Sequence, residues 1–208
     1  IGNLILQIKE KKIHGANVTV PFKKKIIPFL DKLSIEAKNT ESVNTIYLEN
    51  DEIIGHNTDI AGFYFSLKSE NINLKDQNIL ILGAGGVTPS IILGLRMMRV
   101  KKITVTNRTK EKALKLKERF SYIDVSEWGE AVKANSIINT TSVGLKNTDK
   151  IQLDESLFKS DTFFYDVIYN PRETNFLKNA KQFGNEAVNG KMMFIYQAHQ
   201  AFTIWHKI

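Results

Sequence analysis

The sequence predicts an α/β fold of two lobes, of which the larger is a doubly wound parallel sheet covered by helices. One observation is the apolar run 78–83 (NILILG), whose lack of alternation is typical of a strand buried on both faces. The other is the regular alternation of strand and helix patterns that follows this run. The predicted helices are 89–99 and 110–120, and the predicted strands 102–106, 136–139 and 162–168.

The segments on either side of this domain predict a second, smaller lobe. Residues 15–20 form a short strand pattern ended by Pro21, and 43–48 and 53–55 could pair through a turn at 50–51. A helix should begin after Thr58, and 189–207 has a long helical pattern in which we expect Met192, Met193 and Phe194 to be core. We therefore predict a lobe of residues 1–62, completed by the C-terminal helix 189–208. A domain at 63–188 would complete the chain.

The composition excludes several classes of protein and of site. The 208 residues are 42% hydrophobic and 25% charged, and they include no Cys, so disulfides and thiolate metal sites are excluded. The four histidines lack the spacing of zinc motifs, and we expect no metal. Residues 1–12 lack the pattern of a signal peptide, and no apolar run approaches about 20 residues. These features predict a cytoplasmic protein without a membrane partner.

The net charge of +7 admits nucleic-acid binding as an alternative. The basic residues are spread along the chain, however. The cluster at 23–25 also contains a candidate catalytic residue, and the cluster at 110–117 alternates with Glu on a predicted helix. A solvated basic surface that suits small anionic ligands is the interpretation we favour, and we expect no nucleic-acid partner.

A glycine-rich segment joins the first strand of the large domain to its first helix. In this position Gly83, Ala84, Gly85, Gly86 and Val87 could form a tight turn whose N–H groups approach a pyrophosphate at a helix N-terminus, as in Rossmann-type domains. The third glycine of the G-x-G-x-x-G motif is absent, because Thr88 occupies its position. A tight turn without a ligand is the alternative.

The end of the second strand indicates which dinucleotide would bind. NAD-binding domains usually carry an acidic residue there, which accepts hydrogen bonds from the ribose. Here Asn107, Arg108 and Thr109 follow the strand, with Lys112 close behind. Since a guanidinium binds a 2′-phosphate and an acid repels it, the sequence favours NADP as the cofactor. The alternative is that these side chains are only surface charge.

Outside that domain, three short polar stretches lie at 17–23, 43–45 and 57–59. Hydride transfer from a secondary alcohol needs a group that takes the hydroxyl proton, and a pair of Lys23 and Asp59 could do this. From these residues alone, a surface lysine and a charge at a helix end would be the simpler interpretation.

The motif 15–23 (GANVTVPFK) resembles that of the shikimate dehydrogenase family, in which the lysine is the catalytic acid and base. The resemblance continues, in order, over nearly the whole chain, through VNT, NTD, the glycine loop, NRTKEK, NTTSVG (139–144) and YDVIYNP (165–171) to the last helix. It implies that Lys23 is catalytic with Asp59 as its partner. It also implies substrate contacts from Thr19, Asn44, Asp59, Tyr169 and Gln197.

The resemblance further implies an NADP site. Its residues would be Gly83, Ala84, Gly85, Gly86, Val87, Asn107, Arg108, Thr109 and Lys112, with Val167 against the nicotinamide and Gly190 near it. The reaction implied is the reversible reduction of 3-dehydroshikimate to shikimate, by a monomer or a homodimer. Alternatives are a quinate/shikimate dehydrogenase of broader specificity and a catalytically silent NADP-binding regulator.

The sequence departs from the family pattern at its beginning. Family members open with a strand, a turn and a Ser-x-Ser stretch that binds the substrate carboxylate. Here Ile1, Gly2 and Asn3 resemble the end of that strand, and the first serine is Ser34. We expect further residues ahead of Ile1 rather than loss of the carboxylate anchor.

Overall fold

The computed structural model describes residues 1–158 and 161–208, and within them the chain forms two sheets flanked by helices. The first part of the chain contains α1 (Gly2–Lys9), β1 (Gly15–Asn17), β2 (Lys32–Leu33), α2 (Ile35–Thr40), β3 (Thr45–Glu49), β4 (Glu52–His56) and α3 (Asp59–Ser69). A short 3₁₀ helix, Ile27–Phe29, precedes β2.

The four strands of this part form one sheet in the order β1-β3-β4-β2. Strands β3 and β4 pair as an antiparallel hairpin through the predicted turn. Asn50 and Asp51 both have positive φ, at 50° and 61°. This conformation twists a two-residue hairpin in the direction that paired strands require, and Asn and Asp tolerate it.

The N-terminal segment differs from the prediction. Ile1, Gly2 and Asn3 do not end a strand, because Gly2 and Asn3 form the first turn of α1. The reason is the spacing of the apolar residues that follow: Leu4, Ile5 and Ile8 lie on one helical face against the core of the small sheet, and Ile8 is fully buried. Strand β1 is also shorter than predicted and ends at Asn17.

The large sheet is parallel throughout, in the order β10-β9-β8-β5-β6-β7. Its elements are β5 (Asn78–Leu82), α4 (Thr88–Met97), β6 (Lys102–Thr106), α5 (Lys110–Arg119), β7 (Asp124–Ser126), β8 (Ser136–Asn139), β9 (Phe163–Asp166), α6 (Asn175–Gln182) and β10 (Ala187–Asn189). The predicted α/β fold with a doubly wound sheet is confirmed.

Burial on both sides of the central strand explains its continuous apolar sequence. Ile79 and Ile81 lie in the core that α4 and α5 cover, whereas Leu80 and Leu82 lie in a second core on the opposite face, beside α6. All four side chains are at most 1% exposed. Successive residues of a strand face opposite sides, so these four positions, covered on both faces of the sheet, are all apolar.

The last helix, α7 (Lys191–His206), packs along α3. It also contacts the small sheet, where the indole N–H of Trp205 donates a hydrogen bond to the carbonyl of Ile46 at 3.1 Å. The helix begins two residues later than predicted, because Asn189 pairs with Asp166 as the last residue of β10. The proposed boundaries after residues 62 and 188 stay predictions; α3 runs across the first of them. Among the described helices, none has the length and apolarity to cross a bilayer.

Candidate active site

A lysine and an aspartate from distant parts of the chain form an ion pair in the cleft between the two sheets. Lys23 Nζ lies 2.5 Å from Asp59 Oδ2. The Asp59 side chain is 7% exposed and that of Lys23 is 18% exposed, so the pair is largely shielded from water. A Lys–Asp pair of this kind can hold a proton donor in a fixed orientation toward a bound ligand.

Asn44 organises the carboxylate end of this pair. Its Nδ2 donates to Asp59 Oδ1 at 2.8 Å, and its Oδ1 accepts the Thr58 N–H at 2.8 Å. Asn57 Oδ1 accepts the backbone N–H of Asp59 at 3.0 Å. Asp59 is also the first residue of α3, where the helix dipole favours a negative charge. Each carboxylate oxygen therefore has its own donor, and the carboxylate is fixed.

Backbone pairing explains why these residues meet. After β1, the N–H of Val18 donates to the carbonyl of Asn44 at 2.8 Å, and the N–H of Val43 donates to the carbonyl of Lys23 at 2.9 Å. The segment 18–23 is therefore tied at both ends to the residues just ahead of β3. The β3–β4 hairpin then returns the chain to Asp59, beside the same point.

A cavity of about 450 Å³ adjoins the ion pair and is lined by all five predicted substrate residues. It is lined by Asn17, Val18, Thr19, Val20, Lys23, Asn44, Asp59, Val87, Val167, Tyr169, Gly190, Met193, Phe194, Gln197 and Ala198. Gln197 reaches from α7 to within 3.4 Å of Asn44, its Oε1 accepting from Asn44 Nδ2. The side of the cavity that α7 forms is therefore joined to the side that carries the ion pair.

Phe194 has a different environment from the one we predicted. Met193 belongs to the core, but Phe194 is 45% exposed and lines the cavity. Its ring stacks on that of Tyr169, with centroids 4.6 Å apart and an interplanar angle of 23°. Adjacent residues of a helix point about 100° apart, so one helix can place Met193 in the core and Phe194 in the cavity. The prediction that Phe194 is core is wrong.

The segment that carries Val167 and Tyr169 is held by a buried carboxylate. Asp166 accepts hydrogen bonds from Asn139 Nδ2 at 3.0 Å, from the Ile168 N–H at 3.0 Å and from Thr174 Oγ1 at 2.7 Å. Burial raises the pKa of this carboxyl to about 6. Asp166 thereby ties the ends of β8 and β9 to the start of α6.

The glycine loop follows β5, as predicted. Gly83 has a φ of +108°, which favours glycine, and a side chain there would also meet the Thr140 hydroxyl. Within the described residues, the N–H groups of Gly86 and Val87 have no hydrogen-bond partner. They precede the first residue of α4, so they can donate to the phosphates of a dinucleotide.

A second cavity, of about 490 Å³, extends from this loop. Its walls are Val20, Lys23, Gly83, Ala84, Gly85, Gly86, Val87, Asn107, Arg108, Thr109, Lys112, Trp128, Thr140, Thr141, Ser142, Val143 and Val167. Lys23, Val20, Val87 and Val167 line both cavities, so the two are neighbours that meet at the lysine. Trp128, which follows the short edge strand β7, was not predicted as a site residue. The N–H groups of the glycine loop and the side chains of Arg108 and Lys112 line this cavity together, which is a lining suited to phosphate groups.

A contact between the lobes lies beside this cavity. Arg119, at the end of α5, donates to the carbonyls of Lys38 and Asn39 at the end of α2, and its Nη1 lies 3.2 Å from a carboxylate oxygen of Glu41. A guanidinium at the C-terminal end of a helix satisfies carbonyls that otherwise lack partners. A basic cavity of about 590 Å³ adjoins it, lined in part by Lys24, Lys112 and Lys115.

All the predicted site residues line one of the two adjoining cavities. Those expected at the substrate line the first, with Val167 and Gly190, and those expected at the glycine loop and after β6 line the second. A side chain at Gly190 would collide with the carbonyl of Val167, which explains why glycine is needed there. The role of each residue stays a prediction.

Comparison with known proteins agrees with this geometry. Residues 1–46 match the family model described as the shikimate dehydrogenase substrate binding domain, and residues 66–183 match the model for shikimate / quinate 5-dehydrogenase. The shikimate dehydrogenase (NADP(+)) of Pelagibacter ubique is 56% identical over 208 residues, which are 100% of this chain and 78% of that protein.

Solved structures are also similar. The crystal structure of shikimate dehydrogenase from Aquifex aeolicus has a TM-score of 0.92 and 41% identity, covering 100% of this chain and 77% of that one. The structure of the Thermus thermophilus enzyme in complex with NADP(H) and shikimate has a TM-score of 0.90 and 33% identity. The match covers 100% of this chain and 79% of that one. The chain belongs to the shikimate dehydrogenase family.

Proposed function

We propose that this protein is an NADP-dependent shikimate dehydrogenase, which reversibly reduces 3-dehydroshikimate to shikimate. The names of its relatives support the assignment, since the protein from Pelagibacter ubique carries this activity and this cofactor in its name. The complex of the Thermus thermophilus enzyme contains both the cofactor and shikimate.

The position of Lys23 carries the proposal. Its ammonium is paired with Asp59 at 2.5 Å, and it lies where the two cavities meet. A proton donor at this junction can reach a substrate in one cavity beside a nicotinamide in the other. A protein that only bound NADP would have no use for this arrangement.

The reaction requires a hydride at the carbonyl carbon and a proton at the carbonyl oxygen. Bound NADPH supplies the hydride. Lys23 Nζ donates a hydrogen bond to the carbonyl oxygen and then its proton, so that the oxygen becomes the hydroxyl of shikimate. In the reverse direction the neutral amine of Lys23 takes the hydroxyl proton. Asp59 holds the lysine side chain in position through the 2.5 Å ion pair.

The other polar side chains of the substrate cavity would orient the ring. Thr19, Tyr169 and Gln197 line the cavity together with Asn44, and hydroxyl and amide groups suit the hydroxyls of shikimate. Asn44 and Gln197 lie 3.4 Å apart across the cavity wall. Small displacements of these groups would therefore change turnover as well as affinity.

The preference for NADP would come from the residues after β6. Arg108 and Lys112 line the cofactor cavity, and Arg108 is exposed and can accommodate a 2′-phosphate. The cytoplasmic location and the monomeric or homodimeric state stay predictions.

Replacement of the lysine tests the assignment. Lys23→Ala should lower kcat by at least about 10²-fold, a typical contribution of acid–base catalysis. The Kd of NADP⁺, measured by titration calorimetry, should stay near that of the unchanged protein. Lys25→Ala, which removes an exposed lysine two residues away that lines neither of the two cavities, is the matched control. Full turnover by the Lys23→Ala protein would overturn the proposal.

Rates measured with shikimate and with quinate, each with NADP⁺ and NAD⁺, separate this proposal from its alternatives. We expect turnover of shikimate with NADP⁺ to exceed the other three rates. Comparable turnover of quinate would indicate the broader enzyme, and NADP⁺ binding without oxidation of either acid would indicate a regulator.

A further inference from the structure

Thr88 stands where a dinucleotide-binding loop usually has its third glycine. The residue is completely buried, and its side chain turns back into the glycine loop. Thr88 Oγ1 accepts the N–H of Gly85 at 3.0 Å. The same oxygen lies 2.9 Å from Thr140 Oγ1. This threonine is therefore bonded within the loop and also to a second loop.

The hydroxyls of Thr88 and Thr140 form a continuous chain of hydrogen bonds. Thr140 Oγ1 lies 2.9 Å from the carbonyl of Leu82, to which it can donate. Thr88 can then donate to Thr140 while it accepts from Gly85. Every member of this chain has a partner, and a fully satisfied buried network of this kind is rigid. The chain connects the end of β5 to the segment after β8.

These bonds determine which N–H groups of the loop remain available. The N–H of Ala84 is taken by Asn107 Oδ1 at 3.0 Å, and that of Gly85 is taken by Thr88. Within the described part of the chain, Gly86 and Val87 keep unpaired N–H groups. Because Gly85 is held inward, the two free donors lie next to each other at the start of α4.

The same bonds join two walls of the cofactor cavity. Thr140 begins the segment that includes Thr141 and Ser142, and this segment lines the same cavity as the glycine loop. A side chain added at Gly83 would lie 2.8 Å from Thr140 Oγ1, so the two walls approach closely there. Loss of the Thr88 hydroxyl would free Gly85 and loosen the contact between the walls.

We propose that Thr88 is a positioning residue for the dinucleotide, which directs the Gly86 and Val87 N–H groups toward its pyrophosphate and fixes the facing wall. This inference rests on the proposed use of NADP. Thr88 does not line the cofactor cavity and acts only through the two loops that it joins.

The direct test is a calorimetric titration of the full chain with NADP⁺. Thr88→Val keeps the volume and branching of the side chain but removes the hydroxyl. It should raise the Kd of NADP⁺ about tenfold, which corresponds to about 1.4 kcal/mol. Thr88→Ser keeps the hydroxyl and should bind NADP⁺ within about twofold of the unchanged protein. In the coupled assay the KM for NADP⁺ should rise, and the KM for shikimate should not.

Ser136→Ala is the matched control, because Ser136 also carries a buried hydroxyl in the large sheet, bonded to Gln77 Oε1 at 2.6 Å. It lies at the opposite end of β8 from Thr140, so its loss should lower stability without changing the Kd of NADP⁺. Thr140→Val breaks the same chain of hydrogen bonds from the other wall. If Thr88→Val does not fold, Thr140→Val takes its place in the NADP⁺ titration. The double variant should raise the Kd of NADP⁺ little more than either single substitution does, because both substitutions break the same network of hydrogen bonds.

Three results would overturn the inference. Thr88→Val with an unchanged Kd and only a lower Tm would show that the hydroxyl is merely structural. An unchanged protein that binds no NADP⁺ would overturn the proposed function, and this inference with it. An unchanged protein that binds NADP⁺ and oxidises shikimate, beside a Thr88→Val protein that binds equally well, would refute the role of Thr88 alone.

Discussion

The buried carboxyl of Asp166 should make the stability of the protein depend on pH in a direction opposite to that of most aspartates. Its three hydrogen-bond donors in the described structure, Asn139, Ile168 and Thr174, are all neutral. Burial therefore dominates and raises the pKa of Asp166 from an ordinary value of 3.8 to about 6. The folded protein then holds this proton more tightly than the unfolded chain does.

The direction and size of the effect follow from this difference. Between about pH 4 and about pH 6, the folded state binds more protons at Asp166 than the unfolded state, so its contribution to stability falls as the pH rises. A pKa difference of about 2 corresponds to about 3 kcal/mol. The contribution is fully present below about pH 4 and is lost above about pH 6.

Asp166→Asn isolates this contribution. An amide oxygen can still accept from Asn139 and Ile168, and the amide nitrogen replaces the carboxylate oxygen that faces Thr174. We expect the unfolding free energy of the unchanged protein, minus that of the variant, to fall by about 3 kcal/mol between pH 4 and pH 7. Urea unfolding, followed by both fluorescence and far-UV circular dichroism, measures this difference where the two transitions coincide.

Asp124→Asn is the control of opposite sign. Hydrogen bonds from Lys102 and Lys117 lower the pKa of Asp124, so its contribution to stability should rise with pH and should be small, since the carboxylate is exposed. A difference between the unchanged protein and Asp166→Asn that stays flat from pH 4 to pH 7 would refute the reasoning about Asp166.

Two further predictions concern contacts that the sequence did not indicate. Arg119→Ala should loosen the contact with α2 and raise the KM for both NADP⁺ and shikimate about fivefold. This rise corresponds to a loss of about 1 kcal/mol of binding free energy. Unchanged KM values would show that the contact does not fix the width of the cleft. Phe194→Ala removes a ring stacked on Tyr169, an interaction worth about 0.5–1.5 kcal/mol, and should raise the KM for shikimate about two- to tenfold while the Kd of NADP⁺ is unchanged. A proportional rise in the Kd of NADP⁺ would contradict the assignment of Phe194 to the substrate cavity.

The parts of the fold that the sequence predicted are those whose local pattern and environment agree. Strands β5, β6 and β8 have sequences that fit burial in the middle of a parallel sheet, and their bounds were close to the prediction. Strands β2, β7 and β10 have two or three residues each and were missed. So short a strand is defined by the neighbour with which it pairs, and no pattern can be detected in it.

Some missed elements did have a detectable pattern. Thr174 accepts the N–H of Leu177 as the N-cap of α6, and Phe176, Leu177 and Ala180 are its buried positions. An N-cap threonine followed by this spacing is a recognisable beginning of an amphipathic helix. Helix α1 could be found in the same way, from the spacing of Leu4, Ile5 and Ile8.

The residue types of the candidate site could be predicted from the sequence, but the distances between their side chains could not. Lys23 and Asp59 are 36 residues apart, and only the pairing of β1 with β3 and of β3 with β4 brings them to 2.5 Å. Resemblance to the family indicated the pair, whereas composition alone favoured two unrelated surface charges. In the sequence, Thr88 is only a departure from the glycine motif, because its hydrogen bonds depend on the segment after β8, which is distant along the chain.

The rotation of α7 about its axis shows why such details need the folded structure. A side chain at Gly62, on α3, would lie 2.7 Å from the carbonyl of Met193 and 2.9 Å from Cβ of Gln197. The absence of a side chain there lets the two helices pack closely, with Met193 and Gln197 on the face of α7 that meets α3. That rotation brings Gln197 to Asn44 and Phe194 to Tyr169. This close contact involves a residue of a different helix, so the apolar pattern of α7 alone does not show which of its residues reach the substrate cavity.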